Sequence, residues 1–125
     1  MKYLAVFGLL GFAVTSPAIA GGWSKGDWVL AQWKGDKYWF PGVVERDNGS
    51  SVTVNYDDGT RETRPANQVK DYDWHVQSHV QCVWKDGNWY GAVITAMGND
   101  GETLMIRYTD DGTVERTTTG KCRSL

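Results

Sequence analysis

Along most of the chain beyond residue 28, apolar and polar positions alternate with a period of two, the signature of half-buried β-strands. Val29, Ala31 and Trp33 fall on one face of a first strand, Phe40, Gly42 and Val44 on a second, and Val52, Val54 and Tyr56 on a third. The arithmetic then repeats with Val80, Cys82 and Trp84, with Tyr90, Ala92 and Ile94, and with Leu104, Ile106 and Tyr108. Between these runs stand "KGDK", "DNGS", "KDGN" and "GNDG", whose Asn, Asp and Gly residues suit tight turns. No stretch sustains apolar residues at i, i+3 and i+4, so the prediction is an all-β protein.

The repetition extends through the whole pattern. Residues 29–70 lie over residues 80–123 with three short gaps, each in a loop. Trp33 matches Trp84, Trp39-Phe40 matches Trp89-Tyr90, and Val43-Val44 matches Val93-Ile94. Tyr56-Asp57-Asp58-Gly59-Thr60 returns as Tyr108-Thr109-Asp110-Asp111-Gly112-Thr113, with Thr109 read as an insertion. Two residues after each of those threonines comes a glutamate, Glu62 or Glu115. After the Asp-Asp-Gly turn the pattern predicts a short fourth strand, a one-turn segment at Pro65-Ala66-Asn67 and a last strand through Val69. Each unit thus reads as a small five-stranded barrel, residues 21–72 and 80–125, joined by a linker at 73–79. A unit of about 45 residues buries little surface alone, so such barrels pair or are stapled. Trp74 in the linker is expected to wedge between them.

Residues 1–20 read as a secretory signal peptide: Lys2, an apolar run from Tyr3 to Val14, and the small-x-small ending Ala18-Ile19-Ala20. The run is shorter than the roughly 20 residues of a membrane-spanning helix. Cleavage after Ala20 would leave an exported protein, periplasmic or secreted, with no stable membrane insertion. Without Lys2 the 13 basic residues become 12 against 15 acidic, a balance that disfavours nucleic acid as a partner. All seven Trp lie beyond residue 20.

With Trp33, Phe40, Tyr56 and Asp58 in this order, residues 28–125 resemble the Tudor/agenet family, and the doubling resembles a tandem Tudor domain. The resemblance implies SH3-like barrels that recognise methylated lysine or arginine through an aromatic cage. Carried over, one cage would be Trp33, Phe40, Tyr56 and Asp58; the other Trp84, Tyr90, Tyr108 and either Asp110 or Asp111. Thr60 and Thr113 stand where many members have a further aromatic, which leaves both cages open on that side. The alignment sets Cys82 over Ala31 and Cys122 over Val69, on first and last strands that are neighbours in barrels of this family. Two cysteines in an exported chain pair, so a Cys82–Cys122 disulfide is expected.

The chemistry of these residue types supports a binder. An alkylated ammonium keeps its charge while losing hydration, and aromatic faces attract it by about 0.5–2 kcal/mol per ring. A carboxylate at the rim adds Coulombic attraction. Trp39 and Trp89 alternate onto the face opposite Phe40 and Tyr90 and read as packing residues. Asp-Asp-Gly between strands is ordinary turn chemistry, and neither it nor His75 and His79 forms a metal-ligand spacing. No nucleophile triad or phosphate loop is visible, so neither an enzyme nor a cofactor is expected. Two functions compete: a reader of alkylated cations, including choline-type groups, on a protein or peptide ligand; and a structural or adaptor protein of the cell envelope that holds other proteins together.

Overall fold

The computed structural model describes residues 22–125, so the signal-peptide expectation lies outside the described residues. Among the described residues, ten strands form two five-stranded antiparallel sheets. The first holds β1 (Trp28–Ala31), β2 (Phe40–Asp47), β3 (Ser51–Tyr56), β4 (Arg61–Pro65) and β5 (Val69–Asp71) in the order β4-β3-β2-β1-β5. The second holds β6 (His79–Val83), β7 (Trp89–Met97), β8 (Thr103–Tyr108), β9 (Val114–Thr118) and β10 (Cys122–Arg123) in the matching order β9-β8-β7-β6-β10. Equivalent residues keep equivalent partners: Gly42 faces Tyr56, and Ala92 faces Tyr108. Even the irregularity is copied, since β2 bulges between Val44 and Arg46 and β7 between Ile94 and Ala96. Among the described residues no helix is long and apolar enough to cross a membrane.

The two tryptophans assigned to the first strands lie just beyond them. Trp33 opens a 3-10 turn, Trp33–Gly35, in which Lys34 has φ 55°, and Trp84 follows β6 into a turn closed by Gly87 N–H donating to the Trp84 carbonyl. The chain begins to turn at the tryptophan itself, so the strand stops two residues before Trp33 and one before Trp84.

Each sheet curls over its own core. Val29, Ala31, Val44, Val52, Val54, Tyr56 and Val69 fill the first; Val80, Cys82, Ala92, Ile94, Leu104, Ile106, Tyr108 and Cys122 belong to the second. Where Ala31 pairs with Val69 in the first barrel, Cys82 pairs with Cys122 in the second, and their sulfurs are bonded. A cross-link over a sequence separation of 40 restricts the unfolded chain, and the chain-entropy argument values that at roughly 4 kcal/mol.

The first barrel has no such staple and leans on its neighbour. Its β1 has no solvent face: Val29 and Ala31 point into its own core, whereas Leu30 is packed in the core of the second barrel together with Trp74. Burying a leucine fully is worth about 1.5–3 kcal/mol. Trp74 also donates its indole N–H to Ser124 Oγ at 3.1 Å, and Trp39 exchanges two backbone hydrogen bonds with Ser124. The Trp28 ring lies where a side chain on Gly101 would be, 2.1 Å from an added Cβ. Finally, the Arg123 guanidinium sits between Tyr38 of the first barrel and Trp89, 3.6 and 4.1 Å from the ring centres. That cation is the chain's own, held between two aromatic faces across the joint.

Candidate functional site

At the open end of the second barrel, Trp84, Tyr90, Tyr108, Asp110, Asp111 and Thr113 line a pocket of about 210 Å³. The strand ends position them: Trp84 follows β6, Tyr108 ends β8, and Tyr90, near the start of β7, stands between the two. Trp84 and Tyr90 stand 6.4 Å apart at 85°, and Tyr90 and Tyr108 6.3 Å apart at 87°. Near-perpendicular rings make walls rather than a stack.

The tyrosine hydroxyls hold the rings from outside. Tyr90 donates to Asp86 Oδ2 at 2.6 Å, and Asp86 also accepts the Asn88 N–H at 2.9 Å, so the ring is tied to the Lys85–Asn88 turn. Tyr108 donates to Glu115 on β9. The bond to Asp86 raises the Tyr90 hydroxyl above its ordinary range and lowers Asp86; burial, then Glu115, raises Tyr108. Both phenols therefore stay neutral well above physiological pH, and the pocket's formal charge comes from its aspartates.

Hydrogen bonds identify which aspartate is the extra residue. Asp57 N–H donates to the Pro41 carbonyl, as Thr109 N–H does to that of Gly91, the equivalent position. Asp58 Oδ1 accepts the Thr60 N–H, as Asp111 Oδ1 accepts that of Thr113. Thus Thr109 corresponds to Asp57 and Asp111 to Asp58, and the inserted residue is Asp110 rather than Thr109. Asp111 is bound into its own turn, and the Thr113 N–H lowers its pKa. Among the described residues no donor reaches Asp110, which stands exposed at the rim.

The first set of four is divided. Trp33 and Phe40 meet at 6.2 Å, but Phe40 also turns its edge to Trp89 of the other barrel at 6.1 Å. Tyr56 is buried and donates to Glu62 at 2.8 Å, and the same carboxylate oxygen accepts the Lys34 N–H. Asp58 accepts both the N–H and the hydroxyl of Thr60. Phe40 and Asp58 face a groove between the barrels, shared with Trp84 and Trp89. Meanwhile Asp57, the first aspartate of the turn, is committed to the joint: it accepts the Thr119 hydroxyl at 2.6 Å, and its carbonyl would lie 2.7 Å from a Cβ on Gly120. Desolvation there raises its pKa, against the opposing effect of Thr119.

Sequence reasoning passed over Asp86, Glu62 and Glu115. The glutamates had a signal, a Glu two residues after each turn threonine, and both turn out to hold the tyrosine that precedes that turn. Asp86 carried none beyond its turn sequence. Trp39 packs against the second core, with Lys70 Nζ 4.6 Å above its ring. His75 and His79 are exposed, and no group of three or more metal-ligating side chains comes together among the described residues.

No protein-family model matches the sequence. Over 58 residues, 44% of this chain, it is 43% identical to Staphylococcal nuclease domain-containing protein 1 of Drosophila melanogaster, and it spans 6% of that relative's length. Among solved structures it is similar to AGDP1 AGD34 of Arabidopsis thaliana, at 19% identity and a TM-score of 0.37, covering 82% of each chain. It is likewise similar to the tandem Agenet domain 3-4 of ADCP1, at 19% identity and a TM-score of 0.37, covering 82% of this chain and 79% of that one.

Proposed function

We propose that this protein is a non-catalytic binding module whose second barrel receives an alkylated cationic group, a methylated lysine or arginine side chain or a choline-type group. The observation that carries the reading is the pocket of about 210 Å³ walled by Trp84, Tyr90 and Tyr108 with Asp110 at its rim. Its volume lies below the roughly 300–1,000 Å³ of sites for drug-sized ligands and suits a single headgroup. Aromatic faces attract a cation whose hydration is already weakened by alkylation, while neutral phenols and an uncommitted carboxylate keep the local field favourable. Three rings near 1 kcal/mol each give about 3 kcal/mol, weaker than millimolar binding on their own. The headgroup is therefore one part of a larger ligand. The Cys82–Cys122 disulfide supports residence in an oxidising compartment, as an exported protein would have.

The test is an NMR titration with free trimethyl-lysine, choline and unmodified lysine. Alkylated ligands should shift the Trp84 indole and the amides around Tyr90 and Asp110, and unmodified lysine should do so far less. Equal response to all three would refute the reading.

A further inference from the structure

Beside the pocket, and sharing Trp84 with it, runs a groove of about 710 Å³ along the second barrel, bordered by Phe40 and Asp58 of the first. Its wall includes Glu115, Arg116, Thr117 and Thr118, four consecutive residues of β9. Successive side chains of a strand point to opposite faces, so a hollow over one face would touch only every second residue. Contact with all four means that the groove follows the edge of the strand. That edge is unpaired: β9 ends its sheet and, among the described residues, bonds to β8 alone. Unpaired strand edges present a row of N–H and C=O groups ready for another extended chain.

The charges beside that edge have a direction. Of the carboxylates in the groove, Asp58 accepts two hydrogen bonds from Thr60 and Glu115 accepts the Tyr108 hydroxyl. The cations Lys85, Arg116 and Lys121 line the same groove and take part in none of the ion pairs among the described residues. Lys85 lies over Trp84, its Nζ 5.0 Å from the ring centre, on a residue that borders both compartments.

From this we infer that the groove binds an extended, acidic peptide segment, which adds a strand to the free edge of β9 while an alkylated side chain of the same peptide enters the pocket. This rests on the pocket reading for its second half only. Main-chain pairing supplies affinity, and Lys85, Arg116 and Lys121 select acidic side chains. Joining the two compartments in one ligand makes the second contact intramolecular, which overcomes the weakness of the pocket alone.

The experiment uses the chain from residue 21 onward and four probes: free trimethyl-lysine, a ten-residue Glu/Thr/Val-rich peptide with one trimethyl-lysine, the same peptide with norleucine in that place, and the trimethylated peptide N-methylated at alternate backbone amides. The trimethylated peptide should bind about 10- to 100-fold more tightly than free trimethyl-lysine. Both unmethylated-backbone peptides should shift the amides of residues 115–118, and alternate N-methylation should remove most of the gain. Lys121→Gln, at an exposed position, should weaken peptide binding about 2- to 5-fold and leave free trimethyl-lysine unaffected. If neither peptide shifts residues 115–118, or N-methylation costs nothing, the groove proposal is overturned whatever the pocket does. If the norleucine peptide shifts β9 but free trimethyl-lysine leaves Trp84 and Tyr90 unmoved, the pocket reading fails and the groove stands.

Discussion

In the first barrel, the turn after β3 faces the neighbouring domain and gives its leading aspartate, Asp57, to Thr119 across the joint. In the second, the same turn faces outward; Thr109 takes the place of Asp57, bonding to the Gly91 carbonyl of its own barrel, and the added Asp110 stands free over a pocket. The strands, the bulges and the tyrosine–glutamate pairs are shared, so none of these explains the difference. It comes from where the neighbour lies and from one inserted residue. The scaffold is common to both, and the joint sets them apart: one copy of the turn bonds across to the other barrel, and the other copy lines an open pocket.

The same division appears in how each barrel is stabilised, and exchanging the devices tests it most severely. Cys82→Ala with Cys122→Val gives the second barrel the first barrel's pair at that register. We expect a loss of about 2–4 kcal/mol, read as a lowered urea midpoint with a somewhat steeper slope, because the unlinked chain exposes more surface when unfolded. An unchanged midpoint would mean that the staple is redundant with the joint. The joint itself comes next. Gly120→Ala sets a methyl 2.7 Å from the Asp57 carbonyl and should cost about 1–3 kcal/mol, with loss of the close approach of the barrels in solution scattering. If stability and shape are both retained, the contact at Asp57 is not holding the pair. Smaller again is the contrast between the two tryptophans. Trp84→Ala should weaken trimethyl-lysine binding by about 0.5–2 kcal/mol, whereas Trp33→Ala should leave it within error, provided both variants are folded. Equal losses would restore the symmetry that the geometry denies.

The smallest effect is one of pH. Burial at the joint raises the Asp57 pKa, so the folded protein holds that proton more tightly than the unfolded chain does. The contribution to stability consequently falls as pH rises from the ordinary aspartate range through the raised value. Asp57→Asn keeps an oxygen to accept the Thr119 hydroxyl and removes the titration. Its stability relative to wild type should rise with pH across that window and level off above it. Asp100 and Glu45, each lowered to about 2, act in the opposite sense but equally in both proteins, and cancel in the difference. A flat difference would show that Asp57 is not desolvated.

Much of this architecture was legible in the sequence because it is local. Alternation gave Val52, Val54 and Tyr56 as one face; the pairing of Cys82 with Cys122 is not local and came from the resemblance, which implies that first and last strands are neighbours. The residues grouped by alignment around the second turn do line one pocket. Three things were not legible. Strand ends at Trp33 and Trp84 depended on a turn conformation, with Lys34 at positive φ, that alternation does not report. The inserted residue could be assigned only from the hydrogen bonds of each turn, because one-letter similarity placed the gap at Thr109. And the joint is set by contacts between residues far apart in sequence: Leu30 looks like any strand residue until its neighbours in the second core are known.

Leu30 also decides how far the pattern can be extended. The residue matching it in the second barrel is Gln81, which accepts a hydrogen bond from Arg123 Nε at 2.9 Å. The residue matching Trp28 is His79, which is exposed. Repeat arrays grow when each unit offers its successor the same apolar face, and they stop at units whose outward face is polar. Here the first barrel carries the adhesive face and the second carries the cap. A further copy could not attach to the second barrel by the contacts that join the first to it.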